Sequence, residues 1–78
     1  MTTDELKEAE VHRVLQIIVD NAGLRSLNWC VNYARYGLGC SGGELRTQCL
    51  YVLSNMIYWT GPTAKEVRKV LKKYCEIR

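Results

Sequence analysis

Residues 37–42 read Gly-Leu-Gly-Cys-Ser-Gly, a literal GxGxxG with a cysteine inside it. Such a loop binds a dinucleotide only when it joins a strand to a helix, with an acidic residue about twenty positions further on to hold the ribose. Here a helical pattern precedes the loop and no such acid follows in a strand, so the glycines read as helix punctuation. Ser41, Gly42 and Gly43 leave bare backbone N–H groups at a helix start, a place where an anion can sit. Cys40 lies beside that start, where the helix field favours a thiolate, and is the best candidate for a reactive thiol. A nucleophile also wants a base held against it. The chain has one histidine, His12, and nothing in the sequence brings it to Cys40. Glu8 sits one turn before His12, which reads as a solvated i, i+4 pair. No acid, base and nucleophile set emerges, and a non-enzymatic protein is expected.

The remaining cysteines, Cys30, Cys49 and Cys75, form no CxxC pair with one another or with Cys40. Closed zinc sites pair their ligands at short spacing, so no metal and no cofactor are expected, and the thiols read as small apolar core residues. The acidic, polar start of the chain lacks the basic-then-apolar pattern of a secretory signal, and no apolar run is long enough to span a bilayer. A cytoplasmic protein with reduced thiols and no membrane contact is the expectation.

Four helical segments can position these residues, at about 4–22, 27–36, 42–60 and 63–76. The first carries Val11, Val14, Leu15, Ile18 and Ala22 at helical spacing. Ser26 is a good N-cap for the second, and Gly37 its stop in a left-handed C′ position. Ser41-x-x-Glu44 and Thr63-x-x-Glu66 are capping boxes for the third and fourth, as Thr2-x-x-Glu5 is for the first. The third has a stripe of Leu45, Cys49, Val52, Leu53 and Met56, with Leu50, Tyr51, Ile57, Tyr58 and Trp59 on its other sides. Gly61-Pro62 is the sharpest break. The fourth carries Val67, Val70, Leu71 and Tyr74. No segment alternates with period two. The expected architecture is an all-α bundle of four helices in one domain, residues 1–78, with short connections between antiparallel neighbours.

Seventy-eight residues exclude a large enzyme or a repeat array, and 47% apolar content excludes a disordered tail. That apolar share is slightly more than so short a chain hides easily. The surplus lies in the second and third segments and is carried by five Tyr and two Trp with no Phe. Rings with a polar tip suit surfaces that meet a partner. Trp29, Tyr33, Tyr36, Tyr58 and Trp59 are therefore the candidate anchors, facing a protein partner or, in a homodimer, a second copy.

Charge divides the chain. Residues 1–44 carry a net −2 and residues 45–78 a net +5. Lys65, Arg68, Lys69, Lys72 and Lys73 lie opposite the apolar stripe of the last segment, as a solvated face or as a basic surface for phosphates or an acidic protein. The alternative function is a nucleic-acid-binding module. It would use this basic helix, or a helix-turn-helix-like segment at 14–36 that presents Arg25, Asn28, Asn32 and Arg35.

The blocks Leu27–Tyr36, Gly42-Gly43-Glu44-Leu45-Arg46 with Gln48 and Leu50–Asn55, and Ala64-Lys65-Glu66-Val67 resemble small helical proteins encoded by phages and prophages. The resemblance covers roughly residues 24–74. It implies a class of role: binding and modulating a host protein, as anti-CRISPR and other anti-defence inhibitors do. It assigns no activity to any residue.

Overall fold

A computed structural model describes the backbone of residues 3–76 and the side chains of residues 8–75. It is an all-α bundle of four helices: α1 (Thr3–Asp20), α2 (Val31–Gly37), α3 (Gly42–Asn55) and α4 (Pro62–Glu76). A short 3-10 turn, Arg25–Leu27, precedes α2. Each of α1 and α3 packs on both α2 and α4, so α2 and α4 occupy diagonal corners of the bundle.

The core follows the helical spacing. Val11, Val14, Leu15 and Ile18 of α1 meet Leu45, Cys49 and Val52 of α3, while Ala64, Val67, Leu71 and Tyr74 close it from α4. Complete burial of a Leu, Ile or Val side chain contributes roughly 1.5–3 kcal/mol. These stripes therefore dominate the stability of the bundle.

Three boundaries differ from the sequence expectation, each for a local reason. The α1 helix stops at Asp20 instead of 22, where the Asn21 side-chain amide donates to the Ile17 carbonyl at 2.7 Å. The expected continuous helix over 27–36 is divided: Leu27 and Cys30 are both pulled into the core by the 3-10 turn and the bend after it, and α2 proper begins at Val31. The α3 helix ends at Asn55 rather than 60. Ser54 and Asn55 turn their side chains back to the carbonyls of Leu50 and Tyr51. The Met56 carbonyl accepts from Trp59 N–H at 3.0 Å, and the Arg68 guanidinium donates to the Met56 and Trp59 carbonyls at 3.0 and 2.9 Å.

The capping devices differ as well. Ser41 makes no side-chain cap bond, so the Ser41–Glu44 box does not form. Gly42, the first residue of α3, has φ +57°, a conformation open mainly to glycine. Its N–H donates to Glu8 of α1 at 3.2 Å, a cap supplied from 34 residues away. In the Thr63–Glu66 box, Glu66 turns instead to Arg13 of α1 at 3.1 Å. The Thr2–Glu5 box lies outside the described residues. Gly37 is not a left-handed stop, for its φ is not positive. It is the buried last residue of α2, and a Cβ there would sit 2.9 Å from Leu15 Cδ1 and 3.4 Å from Gln48 Cβ. The requirement is close approach of three helices.

Candidate functional site

The fold brings together the residues that chemistry would have needed, and then spends them on structure. His12 Nε2 lies 2.9 Å from the backbone carbonyl of Cys40. A carbonyl only accepts, so Nε2 carries the proton in this contact. Glu8, one turn earlier, accepts from Gly42 N–H. Cys40 is buried at 7% exposure, and its thiol points to the Tyr36 carbonyl at 3.4 Å. Cys40, which the sequence left apart from Glu8 and His12, thus shares one corner with them, and Glu8 bonds to Gly42 in place of the expected Glu8–His12 pair. The imidazole meets the carbonyl of Cys40 and the thiol is held as a donor. The arrangement ties α1 to the loop before α3.

The other thiols are deeper. Cys30 and Cys49 are fully buried. Burial raises both above the ordinary thiol range, and Cys49 reaches about 12 because the Cys75 thiol lies close to it as well. A protonated thiol is a poor nucleophile and a poor metal ligand. Among the described residues no group of three or more His, Cys, Asp or Glu side chains could hold a metal ion. No helix among them is long and apolar enough to cross a membrane.

The aromatic residues are distributed by the breaks in the helices. Trp29 falls in the bend between the 3-10 turn and α2 and is 68% exposed. Tyr33 and Tyr36 lie on the outer side of α2, Tyr36 largely exposed and Tyr33 less so. Tyr33 packs against Tyr51 of α3, with ring centroids 5.1 Å apart and a 45° tilt, a favourable offset geometry. Tyr51 and its neighbour Leu50 are themselves about half exposed. Gly37 against Gln48 and Tyr33 against Tyr51 set an antiparallel register between α2 and α3. That register carries Trp29 toward the end of α3, where Ile57 and Tyr58 are both exposed in the following loop.

The result is one apolar edge, running from Tyr36 through the Tyr33–Tyr51 pair toward Trp29. Arg25 and Arg35 are exposed beside it. Four of the five expected anchors, Trp29, Tyr33, Tyr36 and Tyr58, are on the surface. Trp59 is not: it is 7% exposed and closes the core below α3, because the chain turns at Met56 instead of continuing outward. Tyr51 and Leu50 complete the edge and were not among the expected anchors. Their signal was available, since both lie off the Leu45–Cys49–Val52 stripe.

The basic residues of α4 also divide. Lys65, Lys69, Lys72 and Lys73 are exposed directly opposite Val67, Leu71 and Tyr74. Arg68 is half-buried and committed to the Met56 and Trp59 carbonyls. Its role is to cap the end of α3. The segment needed as one recognition helix at 27–36 is broken, leaving Arg25 on the 3-10 turn and Arg35 on a seven-residue α2. No family model matches the chain, and no curated protein or solved structure is detectably similar to it.

Proposed function

We propose that this is a non-enzymatic protein that binds and modulates a partner protein through the α2–α3 edge. The observation that carries the reading is the exposure of Trp29, Tyr33, Tyr36, Tyr51 and Tyr58, with Leu50 and Ile57 beside them in sequence, and the packing of Tyr33 on Tyr51 across α2 and α3. Large rings on a rigid helical frame lose little conformational freedom on binding, and Trp, Tyr and Arg are the residues on which binding energy concentrates. Arg25 and Arg35 border the edge, and Glu44 is the sole acid between Asn21 and Lys65. A partner with an apolar groove and an acidic rim fits this surface. The resemblance to phage-encoded helical proteins supports a biological form of the reading, an inhibitor that occupies a host defence protein.

The test is capture from a lysate of the cells in which the chain is naturally made. Wild type is compared as bait with a Trp29→Ala, Tyr33→Ala, Tyr58→Ala variant of matched thermal stability. A protein retained by wild type and lost by the variant supports the reading. If every captured protein survives the substitutions, the aromatic edge is not a binding surface. Light scattering on the free protein identifies the case in which the partner is a second copy, since a homodimer that the same variant dissociates places the edge between two chains.

A further inference from the structure

The lysines of α4 form a second surface, on the helix diagonal to α2. Lys65, Lys69 and Lys72 fall within one narrow sector of the helix and Lys73 adjoins it. At 1.5 Å per residue the first three span about 10 Å. Among the described residues none of the four makes an ion pair, because the cation–carboxylate pairs there are Arg13 with Glu10 and Arg13 with Glu66. Glu66, the acid nearest the stripe, is thereby turned toward α1. The stems of Lys65, Lys69 and Lys72, with Pro62, Arg68 and Glu66, line a shallow open trough of about 650 Å³, and Glu66 is the one acid on it.

We infer that this face binds the phosphate backbone of nucleic acid, independently of base sequence. Four cations on one side of a helix, unpaired among the described residues, favour a dense, regularly charged polyanion, and duplex DNA carries one charge per ~1.7 Å of axis. The face has no exposed aromatic or large aliphatic side chain, Pro62 at its start being the one exposed apolar ring, so it offers neither a stacking platform for bases nor a large anchor for a protein groove. The apolar stripe of α4 is committed to the core, leaving nothing to insert into a bilayer. Lysine is suited to this use, as a mobile point charge that meets phosphates without fixed geometry. Because α4 is diagonal to α2, a nucleic acid on this face does not cover the α2 part of the aromatic edge.

Fluorescence polarisation with labelled duplexes tests the inference. Four phosphate contacts give a slope of about −3.6 in log affinity against log salt, or about a hundredfold loss between about 50 and 200 mM. A Lys69→Gln, Lys72→Gln variant reduces that slope by about two. Circular dichroism verifies that the variant is folded, and the wild-type slope stands without it. AT-rich and GC-rich duplexes bind alike, and in a Trp59→Phe variant, where Trp29 is the remaining tryptophan, Trp29 fluorescence is not quenched. Absence of binding at the lower salt, a slope unaffected by the two substitutions, or clear sequence preference overturns the inference. So does quenching of Trp29, which would put the nucleic acid on the aromatic edge. Equal affinity for polyglutamate or for anionic lipid vesicles overturns it too, in favour of an acidic protein or a membrane surface.

Discussion

Trp29 and Trp59 have the same side chain and opposite fates. One stands in a bend at the rim of α2, and the other folds under the end of α3 into the core. Truncating them separates packing from recognition. Trp59→Ala should cost about 3–5 kcal/mol in urea unfolding, the usual range for emptying a buried aromatic site. Trp29→Ala should stay within ~0.5 kcal/mol, as an exposed ring does. Equal losses at the two sites would mean that Trp29 is part of the core. Cys49 makes a second residue-scale prediction. Its thiol ionises near 9.0 when exposed and near 12 in the fold. Above pH 9 the unfolded chain releases a proton that the native chain keeps, so the unfolded state is favoured increasingly with pH. The stability that Cys49 contributes is intact below pH 9 and is lost progressively toward pH 12. Thermal melts of wild type and Cys49→Ala across that window should converge as pH rises. A difference that stays constant across the window would show that the thiol does not titrate between those limits.

At the scale of elements, the helix ends are held by neighbours in space rather than in sequence. Glu8 of α1 caps the first N–H of α3, and Arg68 of α4 donates to two carbonyls just past its other end. Such tertiary caps make each helix end depend on another helix. Arg68→Ala should therefore cost about 1–3 kcal/mol, because partly buried carbonyls lose a charged donor. Lys69→Ala, one position further along the same helix but in solvent, should fall within ~0.5 kcal/mol. Chemical denaturation of the two variants side by side measures the contrast, and a neutral Arg68→Ala would show that water caps α3 equally well. The capping boxes were legible as patterns, yet their partners were not. A Ser-x-x-Glu spacing permits a local cap, while Glu8 reaches Gly42 only once the bundle brings the start of α1 to the start of α3. The breaks in the second and third segments were likewise hidden. Helical spacing continues through Leu27–Val31 and through Met56–Trp59, so nothing in the periodicity marks where the chain turns.

Over the whole molecule, the square arrangement assigns each surplus in the sequence to its own corner. The apolar excess of the second and third segments becomes the α2–α3 edge, and the positive excess of the last segment becomes the outer face of α4. The α2 side of the first surface is diagonal to the second. The amino-acid sequence by itself determined the helical class, the four stripes and the faces opposite them. Those follow from 3.6-residue periodicity, which is local and survives without knowledge of neighbours. Only the tertiary structure decided which aromatics stay in solvent, that Arg68 is a cap while its lysine neighbours are free, and that His12 meets Cys40. Each of these depends on contacts between residues far apart in the chain. Spacing along one helix carries no information about which other helix will lie against it.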